Sequence, residues 1–104
     1  MNEKEKKIIN QFKSQLLKNV SVVDFRLFGS RAKGISREFS DYDFFIVVED
    51  NSPEVIKRIR DIAWEVAFEH NTFINTVILS YPEIEGRMKH STIYQMVQKE
   101  GIPL

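Results

Sequence analysis

The sequence "LFGSRAKGISREFSDYDFFIVV", from Leu27 to Val48, places two acidic residues directly beside a long apolar run. Asp41 and Asp43 are one residue apart, and Phe44 to Val48 follow without a polar residue. An uninterrupted apolar run predicts a strand that is covered on both faces. Charges next to a buried strand cost free energy unless they are paired or bind a ligand. The two acids therefore indicate a functional site.

The spacing of the acids indicates a metal ion. In an extended strand, residues i and i+2 point the same way, so Asp41 and Asp43 present two carboxylates on one face while Tyr42 turns to the other. Magnesium prefers hard oxygen ligands and commonly binds through one or two protein carboxylates, water and a substrate phosphate. The alternative is a turn in which the Asp side chains bond to the backbone.

The upstream residues "GSRAKG" predict a phosphate site. A strand is expected to end at Gly29 and a short helix to begin near Ser30, so free backbone N–H groups and the positive helix end would face an anion. Gly29 would let a phosphate approach the backbone, Ser30 would add a hydroxyl, and Arg31 and Lys33 are nearby cations. A loop with a plain helix cap is the alternative. With the acids, this predicts a site for a nucleoside triphosphate and its metal.

The hydrophobic pattern of the whole chain predicts an α/β (α+β) fold with a small mixed β-sheet and flanking helices. We expect one domain, residues 1–104. The predicted elements are a helix over 3–18, a strand over 21–29, a short helix from 30, a strand over 42–49, a helix from 53 to 70, a strand over 73–80, a short helix after Ser80 and a helix from 91 to 99.

Composition narrows the classes of function. Fifteen Lys and Arg balance fifteen Asp and Glu, so no general basic field exists and direct DNA or RNA binding is not expected. The absence of cysteine excludes a disulfide scaffold and a thiolate metal site. No segment looks like a signal peptide or a membrane span, and we expect a cytoplasmic location.

The long third helix has two apolar faces. Val55, Ile59, Ile62 and Val66 repeat at helical spacing and predict its core contact, whereas Trp64 and Phe68 fall on the opposite side. We expect the C-terminal helices to cover this aromatic pair. The alternative is a surface for a second copy or another partner.

The stretch from Leu27 to Val48 resembles the signature of the DNA polymerase β-like nucleotidyltransferase superfamily, glycine-serine followed some ten residues later by D-x-D. It is most similar to the minimal nucleotidyltransferase (MNT) group, which pairs with HEPN-domain proteins as toxin–antitoxin systems. Members of that group often read G-S-R-A-R-G and then S-D-x-D, against "GSRAKG" and "SDYD" here. Lys33 replaces the second arginine, which keeps the charge but loses the bidentate geometry.

The resemblance implies the transfer of AMP from ATP to a hydroxyl group. Gly29 and Ser30 would hold the β- and γ-phosphates, and Asp41 and Asp43 would bind two magnesium ions at the α-phosphate. By the same resemblance the acceptor would be a HEPN ribonuclease toxin, silenced when a tyrosine receives AMP.

One position departs from the family pattern. Active members generally carry a third carboxylate on the next strand, and the strand pattern of "FINTVILS" puts Asn75 there. Asparagine is neutral, ligates only through its carbonyl oxygen and cannot act as a general base. Glu49, Asp50, Glu69, Glu83 and Glu85 lie nearby, but no spacing selects one of them.

Three functions follow from these observations. The first is an adenylyltransferase, acting as an antitoxin, whose acceptor is a partner protein. The second is an antitoxin that neutralises its partner by occlusion, without turnover. The third is a small-molecule nucleotidyltransferase, which would need an acceptor pocket formed by a homo-oligomer.

Overall fold

The computed structural model describes all 104 residues and shows five helices and four strands. Their order places each of the first three strands between helices, as the hydrophobic pattern predicts. The elements are α1 (Glu3–Asn19), β1 (Val22–Phe28), α2 (Gly29–Lys33), β2 (Tyr42–Val48), α3 (Pro53–Glu69), β3 (Ile74–Ser80), α4 (Tyr81–Glu85), α5 (Thr92–Glu100) and β4 (Ile102–Pro103).

The four strands form one mixed sheet in the order β3-β2-β1-β4. β1 is antiparallel to both β2 and β4, whereas β2 and β3 run parallel. Parallel neighbours need a crossover connection, and α3 supplies it between β2 and β3. The predicted mixed sheet with flanking helices is confirmed.

Strand β2 is the centre of the core, and both of its faces are covered. Phe44, Ile46 and Val48 pack into the larger hydrophobic cluster with side chains of α1 and α3. Phe45 and Val47 face the other way, into a smaller cluster with Ile84 of α4 and Val97 of α5. This two-sided burial explains why the strand contains no polar residue after Asp43.

Stacked aromatic rings fill the middle of the larger cluster. The rings of Phe12 and Phe44 stack in parallel with centroids 4.7 Å apart, and Phe25 lies tilted 5.2 Å from Phe44. Offset aromatic contacts of this kind add to the free energy of burying the rings. The packing fixes α1 against the centre of β2.

Capping residues set the beginnings of the helices that follow β2. The Ser52 side chain accepts a hydrogen bond from the Val55 N–H, with Pro53 in the first turn, so α3 begins where the Ser-Pro pair predicts. Ser80 and Glu83 form a reciprocal capping box at α4.

Two features differ from the sequence-based expectation. The chain ends in a two-residue strand, β4, which is too short to leave a hydrophobic period in the sequence. The C-terminal helices also do not cover the second face of α3: Trp64 is 67% exposed and Phe68 is 75% exposed. α4 and α5 pack instead on the opposite side of the sheet from α3, against Phe45 and Val47, so the expectation that they bury the aromatic pair is wrong.

No helix combines the length and the apolar surface that crossing a bilayer requires.

Candidate active site

The register of the sheet brings the two acids and Asn75 to one place. In the parallel pairing of β2 with β3, Asp43 lies directly beside Asn75. Asp41 immediately precedes β2. Because Asp43 and Phe45 lie on the same face of β2, the carboxylate is on the side of the sheet that α4 and α5 cover farther along the strand.

The Asn75 amide bridges the two carboxylates. Its Nδ2 donates to Asp41 Oδ2 at 2.9 Å and to Asp43 Oδ1 at 3.1 Å. One neutral group with two N–H donors therefore holds together two anions that would otherwise repel each other. The structure thus brings Asn75 together with Asp41 and Asp43, and that it occupies the third-carboxylate position of the family stays a prediction.

Gly29 lies against the same carboxylates. Its φ is +75°, a left-handed conformation, and a Cβ added there would overlap the carboxylate of Asp43. The antiparallel pairing of Phe28 with Asp43 causes this close approach. Only glycine allows both the backbone conformation and the contact.

Ser30 occupies the second position of α2 and is partly exposed. Phe28 stands at the cap position and provides no side-chain hydrogen bond to the first N–H groups. That these groups and the Ser30 hydroxyl contact phosphate stays a prediction.

Arg31 has a different environment from the one expected. The side chain is almost fully buried, and its guanidinium pairs with Glu5 of α1 at 3.0 Å. It also donates to the backbone oxygens of Ser40 and Glu38 and lies 4.1 Å from the centre of the Tyr42 ring. Since every guanidinium nitrogen is engaged inside the protein, the expectation that Arg31 offers a free cation to a phosphate is wrong.

Lys33 is also paired within the chain. Its Nζ lies 3.3 Å from Glu100 of α5, and both side chains are about half exposed. An exposed pair of this kind contributes little to stability and exchanges readily with other ligands. A contact between Lys33 and a phosphate therefore stays a prediction.

The other acidic residues do not complete a third carboxylate. No group of three His, Cys, Asp or Glu side chains is placed to share a metal ion. Glu83 is used by the α4 cap, by Asn51 and by Arg87, and Glu69 accepts from Gln11. Asn75 is therefore the third polar group of the site.

The donor set nevertheless fits magnesium. Two carboxylates with separate oxygens and an amide that can turn its carbonyl oxygen inward are hard ligands, and magnesium commonly takes only one or two carboxylates from the protein. Asp41 and Asn75 are solvent-exposed, so water and substrate phosphate can complete the coordination.

The pKa of the Glu5 carboxylate is lowered by its surroundings. The backbone N–H of Asn2, donating at 3.0 Å, and the Arg31 guanidinium lower the pKa of Glu5 below its usual 4.5, although burial opposes them. The Glu5 carboxylate also accepts a hydrogen bond from the Ser36 hydroxyl. Sequence reasoning missed this pair, because Glu5 and Arg31 are 26 residues apart and no local motif joins them.

The exposed aromatic side chains lie next to Asn75. Trp64 and Phe68 stack with centroids 5.2 Å apart and an interplanar angle of 7°. They line an open groove together with Phe73 and Asn75, along the free edge of β3. We call these four residues the aromatic groove. Asn75 is the residue shared by this groove and the aspartate pair.

The fold agrees with comparisons to known proteins. The family model of the nucleotidyltransferase domain matches residues 6–101, and the chain belongs to that family. The resemblance to nucleotidyltransferases found in the sequence is thereby confirmed. No curated protein sequence matches the chain.

Solved structures share the fold at low sequence identity. A toxin–antitoxin structure with AMP-PNP is 18% identical with a TM-score of 0.67, over 90% of this chain and 69% of that one. A structure described as a candidate minimal nucleotidyltransferase is 22% identical with a TM-score of 0.66, over 99% and 97%. A complex of a tri-AMPylated HEPN toxin from Shewanella oneidensis with MNT antitoxin gives 17% and 0.52, over 96% and 67%.

Replacing Gly29 by alanine should lower stability more than backbone strain alone would, and it should also disturb the aspartate pair. Gly34 has nearly the same left-handed φ, +73°, but a Cβ there would meet nothing within 4 Å. Gly34→Ala should therefore cost about 1 kcal/mol of unfolding free energy from backbone strain alone. Gly29→Ala should cost more and should also weaken Mn²⁺ binding, because Asp43 must move. Equal costs in urea unfolding, with equal Mn²⁺ affinity, would contradict the close contact.

The Glu5 carboxylate should make stability depend on pH on the acid side. Its pKa is lower in the folded state, so its stabilisation is fully present above the unfolded value of 4.5 and is lost as the pH falls through the folded pKa. The stability difference between wild type and Glu5→Gln should be largest near ~pH 7 and shrink toward ~pH 3, by urea unfolding. Glu3→Gln, which removes an exposed carboxylate from the same turn, is the control. A difference that does not change with pH would refute this assignment.

Proposed function

We propose that this chain transfers AMP from magnesium-bound ATP to a hydroxyl group of a partner protein, and that it is the antitoxin of a HEPN toxin. The observation that carries the proposal is the convergence of Asp41, Asp43 and Asn75 beside Gly29 in a nucleotidyltransferase-family domain. The structural neighbour with AMP-PNP supports an adenosine triphosphate as the donor.

The reaction is a displacement at phosphorus. The acceptor hydroxyl oxygen forms a bond to the α-phosphorus, the bond from that phosphorus to the β-bridging oxygen breaks, and pyrophosphate leaves with the electron pair. The hydroxyl proton passes to water at this exposed edge, since the Asn75 amide cannot accept it. Magnesium, when bound, supplies charge neutralisation at the phosphates and orients the attacking and leaving oxygens.

Each residue of the chain has a role in that scheme. Asp41 and Asp43 would hold the metal, and Asn75 would keep the two carboxylates side by side until metal arrives. The turn at Gly29 and Ser30 would hold the β- and γ-phosphates through backbone N–H groups and the Ser30 hydroxyl, and the absence of a Cβ at Gly29 leaves room for the Asp43 carboxylate beside that turn.

The partner would dock on the aromatic groove. Trp64, Phe68 and Phe73 expose a large apolar area, and the same groove includes Asn75, which bonds to both aspartates at the edge of the sheet. Large aromatic residues of this kind commonly dominate the binding energy of protein interfaces. A neighbour in the same fold is a complex of an AMPylated HEPN toxin with MNT antitoxin, which supports a HEPN-domain partner here.

Neutralisation by occlusion is the second candidate function. Asn75 favours it, because a site with two carboxylates and an amide lacks the third carboxylate that helps activate an acceptor hydroxyl. The aromatic groove supports both candidate functions to the same extent, because it provides a binding surface that does not depend on catalysis.

Mass spectrometry of the partner separates the two functions. The proposed HEPN-domain partner, incubated with wild type, ATP and magnesium, should gain the mass of one or more adenylates, and Asp43→Asn should abolish the gain. The same reaction with Asn75→Asp tests whether a third carboxylate raises the rate. No gain with wild type, while the complex still forms and the toxin stays silent, would reject transfer in favour of occlusion.

Trp64→Ala should weaken the complex without affecting the nucleotide. Loss of a central aromatic contact should cost about 2 kcal/mol of binding free energy, measured by calorimetry with the HEPN-domain protein. Affinity for magnesium-ATP should remain at the wild-type value. Phe39→Ala is the matched control, because Phe39 is 83% exposed and lies outside the aromatic groove. Equal loss of partner affinity in both variants would contradict docking on this face.

A further inference from the structure

The segment that delivers Asp41 to the site has no regular secondary structure. Residues 34–41 join α2 to β2 without a helix or a strand. Within the segment, the backbone N–H of Ser40 donates to the Arg37 oxygen at 3.0 Å, and the Arg37 N–H donates to the Ser40 hydroxyl at 2.8 Å. These local bonds form a turn but do not tie it to the rest of the protein.

Arg31 provides the connection. Its Nη2 donates to the backbone oxygen of Ser40 at 2.6 Å and to that of Glu38 at 3.3 Å, and its Nε donates to Ser40 at 3.2 Å. Ser40 is the residue directly before Asp41. Hydrogen bonds from a charged donor are stronger than neutral ones, so the peptide that precedes Asp41 is firmly held.

Arg31 is itself fixed from the other side. Its Nη1 pairs with Glu5 at 3.0 Å, in a contact where the two side chains are only 6% and 10% exposed. Glu5 is in turn held by the Asn2 N–H, and the Tyr42 ring lies beneath the guanidinium at 4.1 Å. The Arg31 guanidinium is therefore fixed in position, and it does not move with residues 34–41.

We propose that Arg31, held by Glu5, is a positioning residue that keeps Asp41 beside Asp43 for metal binding. The inference rests on the proposed function in one respect, namely that the aspartate pair binds a divalent ion. Arg31 does not touch the metal or the nucleotide; it acts through the carbonyl groups of Glu38 and Ser40. Outer residues that orient metal ligands commonly change metal affinity 10- to 100-fold when replaced.

Lysine cannot replace Arg31 in this arrangement. Its single ammonium group is a point charge, whereas the planar guanidinium contacts Glu5 and two carbonyl groups in different directions. Arg31→Lys keeps the charge and a similar stem length, so it tests the geometry of the contacts. Glu5→Gln leaves the bonds from Arg31 to Ser40 in place, removes the charge that holds the arginine, and replaces one of the two oxygens that accept from Asn2, Arg31 and Ser36.

The first test is Mn²⁺ binding, measured by electron paramagnetic resonance of the free ion, at a temperature where circular dichroism shows every variant folded. Arg31→Lys should bind Mn²⁺ about tenfold more weakly than wild type, and Glu5→Gln should lie between them. Leu16→Ala is the control, because Leu16 is fully buried near the far end of α1 and lowers stability without contact to residues 34–41. It should bind Mn²⁺ like wild type.

The second test is amide hydrogen exchange without metal, at Ser40 and at Tyr42, whose N–H donates to the Phe73 oxygen. Exchange at both amides should rise more in Arg31→Lys and Glu5→Gln than in Leu16→Ala. Wild-type Mn²⁺ affinity in Arg31→Lys, or loosening that is equal in the Leu16→Ala control, would overturn the proposal. If wild type itself binds no Mn²⁺, the metal site of the proposed function fails, and unchanged exchange at Ser40 would separately refute the role of Arg31.

Discussion

The burial of β2 on both faces is the constraint on which the rest of the structure depends. Phe44, Ile46 and Val48 meet α1 and α3, and Phe45 and Val47 meet α4 and α5, so a shift by one residue would move each set to the opposite face, away from the side chains it packs against. This register places Asp43 near the start of β2. There it lies beside Asn75 of β3 on one side and beside the Phe28–Gly29 corner on the other. The geometry of the site is thus a consequence of hydrophobic packing several residues away.

The three polar groups at that edge balance one another. Two carboxylates held close together repel, and the Asn75 amide offsets this by donating one N–H to each. A third carboxylate at the same position would strengthen metal binding but would add repulsion whenever the metal is absent. Asparagine at position 75 therefore suits a site that is assembled before the metal binds. The site then has one negatively charged metal ligand fewer than it would have with a third carboxylate.

Much of the fold could be predicted because its signals are local. The apolar run of β2, the Ser-Pro pair before α3 and the Ser-Glu capping box of α4 each specify an element from a few adjacent residues. The position of Asn75 beside the aspartates could also be predicted, since strand period fixes it. Neither the pairing of Glu5 with Arg31 nor the exposure of Trp64 could be, because both depend on how elements far apart in the chain pack together. β4 is too short to give a pattern.

The residues of the site also differ in whether a local sequence signal or the packing of distant elements determines their role. Gly29, Asp41 and Asp43 are carried by a contiguous motif, and the structure brings them together with Asn75. Arg31 belongs to the motif in sequence but supports the loop rather than facing a ligand. A cation inside a phosphate-binding motif is therefore assigned by its partners in the fold, which the sequence alone does not show.

The central claim is that the aspartate pair binds a nucleotide through a divalent metal. Calorimetric titration of wild type with AMP-PNP, with and without magnesium and alongside a variant that combines Asp41→Asn with Asp43→Asn, tests it most directly. Wild type should bind AMP-PNP only in the presence of magnesium, and the double variant should lose this binding while remaining folded. Equal affinity without magnesium, or in the double variant, would contradict it.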